Sequence, residues 1–189
     1  MARPRSEDKH NAILAAAAQV FAEEGLAAPT AQVARRAGVA DGTVFTYFSS
    51  KDELLNQLYL ALKSELRAVM LSGYPAGAPL RERLRHVWER YVDWGAAHPH
   101  PRQAMARLAI SERISPENRL AAAAGYGDLQ TLLDECVAGG ALGEVPPVFV
   151  GALMGAIADT TMEHMARDPE RAAQYREAGF SLFWNGITR

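Results

Sequence analysis

The chain has 189 residues, 49% of them apolar and 22% charged, with a formal charge of −2 and one cysteine. That balance suits a soluble globular protein and excludes disordered or collagen-like chains. It also lacks the strongly basic footprint common among nucleic-acid binders, so a DNA-binding reading has to rest on local arrangement. Cys136 alone cannot form an intrachain disulfide, which excludes a secreted disulfide framework and leads us to expect a reducing, cytoplasmic setting. Arg3-Pro4-Arg5 runs into Glu7, Asp8 and Lys9 without the apolar stretch of a signal peptide. The most apolar segment, from Val145 to Ala158, is interrupted by Pro146 and Pro147 and falls short of the roughly 20 residues that cross a bilayer, so no membrane partner is expected.

Proline and glycine cut the sequence into segments rich in Ala, Leu, Arg and Glu with little β-branched alternation, which predicts an all-α fold of about nine helices. The first should start after Ser6, with Glu7 and Asp8 in its first turn, and end at Gly25; Ile13, Leu14, Ala17, Val20 and Phe21 mark its apolar face. Two short helices follow, Thr30 to Ala37 and Asp41 to Phe48, separated by the tight turn Gly38-Val39-Ala40. Ser50 and Glu53 form a capping-box pattern that opens a longer helix from Lys51, with Leu54, Leu55, Leu58, Leu62, Leu66 and Val69 on its apolar face.

Gly73 to Pro79 is the best candidate boundary between modules. It suggests a helix-turn-helix domain over residues 1–50, a connecting helix over 51–72 and a larger domain over 73–189. Beyond it, helices are predicted from Pro79 to His98, Pro101 to Arg113, Pro116 to Ala138 and Pro147 to Arg167, each with proline at or near its start. A last one opens at Asp168-Pro169-Glu170 and closes near Asn185-Gly186.

Residues 30–48 supply what a helix-turn-helix needs: a bracing helix, a turn at a glycine able to adopt the left-handed conformation, and a second helix with one buried face. Val44 and Phe48 should face the core, leaving Thr43, Phe45, Thr46 and Tyr47 to look outward, where aromatic side chains point to a contact surface. Gly42 allows close backbone approach to a phosphate at the helix N-terminus. Lys51 and Arg36 add positive charge at the same end, with Arg35 and an arm carrying Arg3 and Arg5. Acidic and basic residues balance over the first fifty positions, so steering has to come from placement.

The stretches KHNAILAAAAQVFAEEG and VARRAGVADGTVFTYFSSKDELL resemble, in order, the opening helix, the helix-turn-helix and the start of the fourth helix of the TetR family of bacterial repressors. The resemblance implies DNA contacts at Thr43, Phe45, Tyr47 and Lys51, with Gly42 giving backbone access. The chain departs from the commonest pattern at Asp41, Phe45 and Tyr47, where the family often carries lysine, tyrosine and histidine, and its loop after Gly25 is one residue short. The resemblance also implies a C-terminal module that binds an inducer and dimerises.

In that module Trp88, Tyr91, Val92, Met105, Leu108, Tyr126, Leu129, Met154, Ile157 and Met162 offer aromatic and methionine side chains suited to an apolar effector pocket, or to plain core. Ala152, Gly155, Ala156 and Asp159 give a face of small residues for a homodimer contact, to which Phe149, Phe180, Phe183 and Trp184 would add bulk. His98-Pro99-His100, Glu163-His164 and Gly125-Tyr126-Gly127 lack the spacing of metal, zinc-protease or dinucleotide motifs, and no catalytic constellation, metal or cofactor is expected. Two functions result: a dimeric regulator that reads a palindromic duplex operator and is released by a small apolar ligand through the helix from Lys51, or an all-helical carrier or enzyme that uses the C-terminal pocket with degenerate DNA binding.

Overall fold

The computed structural model describes residues 6–138, 140 and 142–188. Among the described residues ten α-helices run in the order α1 Glu7–Glu24, α2 Thr30–Arg36, α3 Asp41–Tyr47, α4 Lys51–Leu71, α5 Leu80–Ala97, α6 Pro99–Ala109, α7 Pro116–Ala124, α8 Gly127–Val137, α9 Pro147–Arg167 and α10 Ala172–Thr188. A 3-10 turn over Pro169–Arg171 precedes the last. No strand occurs among the described residues. The helices divide into two compact units: the chain up to Glu65 with His98–Ala122, and Leu66–Ala97 with the chain from Ala123 onward.

Three expectations change. The single helix predicted from Pro116 to Ala138 is two, α7 and α8. Glycines on both sides of Tyr126 lower the helical preference there, and the Tyr126 N–H closes a turn onto the Ala123 carbonyl at 2.9 Å. The last helix opens as a 3-10 turn behind Pro169 and continues past Gly186 to Thr188. The division between units falls within α4, not at Gly73 to Pro79, and α6 with most of α7 belongs to the first unit.

Packing explains that last point. In the first unit α6 lies along α1, and Ala104, Met105 and Leu108 are buried together with Ile13, Ala17, Val20 and Phe21. α1 meets α2, and α2 meets α3. Leu54, Leu55 and Leu58 complete this core from α4, which starts as predicted: the Glu53 N–H donates to Ser50 Oγ at 3.0 Å. The Glu53 carboxylate reaches back one residue further than a capping box requires, accepting from the Ser49 N–H at 2.5 Å.

In the second unit α9 and α10 pack side by side and against α5 and α8. Trp88, Phe180 and Phe183 are fully buried here, and the Trp88 indole N–H donates to the Arg176 carbonyl at 3.2 Å, so its one polar atom is satisfied. Outside this core Arg85 forks onto the Glu177 carboxylate at 2.6 and 2.9 Å and holds that acid down to about 2. Cys136 is buried, and its desolvation pushes the thiol up to about 11, which leaves it inert as a nucleophile at neutral pH.

Gly179 sits where α10 presses closest on its neighbours: a Cβ there would collide with Thr161 Oγ1 and stand 2.7 Å from Trp88 Cζ2. Gly179→Ala should therefore overpack the unit and destabilise it by roughly 1–3 kcal/mol. Thermal unfolding followed by circular dichroism checks this, and an unchanged midpoint would contradict it.

Candidate nucleic-acid interface

The turn between α2 and α3 is built by a residue that only glycine suits. Gly38 has φ +67°, the left-handed region, and its N–H donates to the Arg35 carbonyl at 3.2 Å while the Val39 N–H reaches the Ala34 carbonyl at 3.0 Å. That pair of bonds is the Schellman arrangement, which satisfies the last carbonyls of α2 and reverses the chain within three residues. α2 begins at Thr30, with Pro29 in the capping position ahead of it.

α3 is seven residues long, about 10 Å. Val44 on it and Phe48 just after it are 1% and 0% exposed, four positions apart and therefore on one face. With that face committed, Phe45 is left 51% exposed, Gly42 and Thr46 are exposed, and Thr43 and Tyr47 are half-buried at the edge. A Cβ on Gly42 would meet nothing within 4 Å, so the helix N-terminus is open to a backbone approaching it. Asp41 is exposed beside it.

The cations around this face are more engaged than the sequence suggested. Arg36 turns back to α1, donating to both carboxylate oxygens of Glu23 at 3.1 and 2.8 Å and to Gln19 at 3.2 Å. The pairing holds the Glu23 carboxyl below its ordinary range and raises Arg36. Lys51 likewise points inward: its ammonium donates to the Ala28 carbonyl at 2.6 Å and lies 5.8 Å from the centre of the Phe21 ring, and burial lowers its pKa. Tyr47 uses its hydroxyl to accept the Ser6 backbone N–H at 3.1 Å. The arm with Arg3 and Arg5 lies outside the described residues.

A brace from the 98–122 segment holds this head and was missed in the sequence. Arg107 donates to the Phe21 carbonyl at 3.0 Å, and Arg113 bonds Asp52 at 2.5 Å. Asn56, buried on α4, uses all of its amide: it donates to the Asp52 and Arg113 carbonyls at 2.7 and 2.9 Å and accepts from the Ser115 N–H and Asn118 Nδ2, both at 2.9 Å. A polar residue amid the leucines of an otherwise apolar helical stripe was the one available signal. An open groove of about 630 Å³ beside it is lined by His10, Asp52, Glu53, Gln57, Leu60 and Asn118, among others, and by none of the residues predicted for an effector pocket.

Of those pocket residues, Trp88, Tyr91, Val92, Leu129, Met154 and Met162 are buried in the second unit, with Tyr126 and Ile157 half-buried there, whereas Met105 and Leu108 are buried in the first. Among residues expected at a subunit contact, Phe149, Ala152 and Ala156 are exposed along α9, and Gly155, Asp159 and Trp184 are half-buried. Phe180 and Phe183 require correction: at 0% and 1% exposure they are enclosed by their own chain and have no surface to offer a partner. The exposed apolar side chains missed beside them are Val148 and Leu182.

Because Lys51 is anchored inside the head, Lys51→Met should lower the thermal midpoint while leaving the salt dependence of DNA binding close to that of the parent. A salt slope flatter by about one unit would instead put its ammonium on a phosphate.

Comparison with known proteins bears on what this head belongs to. The model of the bacterial regulatory proteins of the tetR family matches residues 13–58, which contain α2, α3 and the turn between them. An uncharacterised HTH-type transcriptional regulator of Haemophilus influenzae is 32% identical over 88 residues, 46% of this chain and 47% of that one, so the chain spans about half the length of the curated relatives it matches. FadR of Bacillus subtilis, crystallised in complex with stearoyl-CoA, shares the fold at a TM-score of 0.69 with 19% identity, over 94% of this chain and 99% of that one. A crystallised chain from Shewanella sp. PV-4 assigned to the tetR family of transcription regulators superposes with a TM-score of 0.83 and 30% identity, covering 98% of this chain and 100% of that one. With that identity carried along the whole length, and the family's model matched across the head, the chain belongs to the TetR family of transcription regulators.

Proposed function

We propose that the chain is a cytoplasmic, homodimeric DNA-binding repressor in which α2 and α3 form a helix-turn-helix and α3 enters the major groove of a palindromic operator. The observation that carries this reading is the division of α3. Val44 and Phe48 are sealed in the core while Phe45, 51% exposed, shares the outer surface with Gly42 and Thr46. An exposed phenylalanine between small and hydroxylic residues suits contact with thymine methyls, and the open helix N-terminus at Gly42 suits a phosphate. Thr43 and Tyr47 flank the contact, and Arg36 and Lys51 brace the head through Glu23 and the Ala28 carbonyl.

Selection of binding sites from a random duplex library, followed by titration at two salt concentrations against a non-cognate duplex, tests the reading. Specific, salt-sensitive binding is expected, and Phe45→Ala should weaken it about tenfold, ~1.4 kcal/mol. Failure to enrich any sequence would overturn it.

Dimerisation is assigned to α9 and α10. Val148 and Phe149 are 74% and 47% exposed, Ala152 and Ala156 continue the same helical face, and Leu182 of α10 is 65% exposed. Phe149→Glu should yield monomers in light scattering and reduce operator affinity, since two heads must bind together to read a palindrome. A dimer that persists unchanged would move the interface elsewhere.

The effector of this reading is a small, largely apolar molecule held among Trp88, Tyr91, Met154 and Met162 of the second unit. What supports it is the concentration of aromatic and methionine side chains there and the fold shared with FadR, which was crystallised with stearoyl-CoA. A ligand that favours a dimer with wrongly spaced heads must weaken DNA binding by linkage, and α4, which begins in the head and ends in the second unit, is the element placed to carry that change.

A further inference from the structure

We propose that the open groove of about 630 Å³ in the first unit is a binding site for a small amphiphilic cation, an amine, amidine or guanidine carried on an apolar body. Its size falls within the roughly 300–1,000 Å³ of ligand pockets. The site is separate from the DNA-binding and effector readings above, because the groove shares no residue with the outer face of α3 or with the effector residues of the second unit.

Where the hydrogens of this groove point decides what it takes. Gln57 Nε2 donates to Glu53 Oε1 at 3.1 Å, so Gln57 Oε1 is the acceptor that meets His10 Nε2 at 3.2 Å, and the imidazole hydrogen is committed there. Both hydrogens of Asn56 Nδ2 go to the Asp52 and Arg113 carbonyls. Both of Asn118 Nδ2 go to Asn56 Oδ1 at 2.9 Å and Ser115 Oγ at 3.1 Å. The Ser49 N–H and hydroxyl turn to Glu53 Oε2, and the Ser115 hydroxyl to the Glu117 carboxylate. Of these side-chain donors, one hydrogen of Gln57 Nε2 remains.

Acceptors are in surplus. Among the described residues no donor meets Asn118 Oδ1, and Asp52 gives Oδ1 to Arg113 at 2.5 Å while no donor meets its Oδ2. Asp52 and Glu53 bring two negative charges to the lining, and Arg113 offsets one of them. Leu14, Leu60 and Ala61 add an apolar wall. A site short of hydrogens, rich in acceptors and negative in sign rejects anions and selects a cation that brings its own N–H groups. The wall takes the apolar body. His10 also stacks on Phe48, the buried residue at the end of α3, at 4.9 Å, so an occupant bridges α1, α4 and the start of α7 next to the support of α3.

Benzamidine is the probe, with benzamide as its neutral counterpart and benzoate as the anion of the same shape, each titrated into the full-length protein and followed by NMR through the side-chain amide signals of Gln57 and Asn118. Benzamidine is expected to shift both signals saturably, with a Kd on the order of 1 mM. Benzamide should bind about fivefold more weakly or worse and benzoate not at all, and Glu53→Gln should weaken benzamidine about fivefold, the effect of one unit charge at about 4 Å in water. Glu53 also holds Ser49 at the head of α4, so a second variant avoids that cap: Ala61→Lys, at a half-buried position within α4, puts an ammonium of the chain's own into the groove and should abolish the shifts while the far-ultraviolet circular dichroism stays that of the parent. Benzoate shifting the same signals as strongly would overturn the site. So would benzamidine moving the Trp88 indole signal in place of Gln57 and Asn118, binding that persists in Ala61→Lys, or no saturation by about 20 mM.

Discussion

A seven-residue helix does not hold together in water without tertiary support, and the candidate interface depends on how α3 is supported. Val44 and Phe48 supply the anchor, buried where α3 meets α2, with the His10 ring of α1 stacked on Phe48. Fixing one face of a helix fixes the other, so the same two residues decide that Phe45, Thr46 and Gly42 meet whatever approaches from outside. The Gly38 turn sets where the helix begins, and the Ser50 cap sets where the next one starts. Little freedom is left to the two turns between them.

The rest of the head preserves that arrangement. Arg107 closes onto the Phe21 carbonyl of α1 and Arg113 onto the Asp52 carboxylate of α4, and Asn56 ties α4 to the Arg113 carbonyl, the Ser115 N–H and the Asn118 amide around the start of α7. Arg36 and Lys51 are used the same way. The charges nearest the outer face thus serve first as fasteners, which reconciles a neutral head with a DNA-binding family: rigidity is drawn from groups that a looser head would have left for phosphate. Individually, exposed pairs such as Arg36 with Glu23 contribute little to stability; what this one adds is a tie between α2 and α1.

Much of this was legible in the residues. Proline at helix starts and glycine at their ends placed most boundaries, and the four-residue spacing of Val44 and Phe48 told inside from outside on α3. Other features depend on distant partners and leave little trace in a single sequence. Lys51 stands at a helix start, where the pattern reads as surface, and only the fold brings the Ala28 carbonyl beneath it. Periodicity marks Phe180 and Phe183 as apolar-face residues without saying whether their own chain or another covers them. The segment 98–122 followed a plausible linker and was assigned to the wrong side of it, because its partner, α1, is some ninety residues away. The break at Tyr126 was written in its two flanking glycines, whose combined cost to a helix was underweighted.

The central claim is that the outer face of α3 lies in the major groove in two copies, one on each half of a palindrome. Dimethyl sulfate protection on a selected operator reads it directly, because guanine N7 is exposed only in the major groove. The account predicts two clusters of protected N7 positions related by the palindrome and centred about one helical turn apart, on the order of 34 Å. Full reactivity of those N7 atoms in a saturated complex would contradict it.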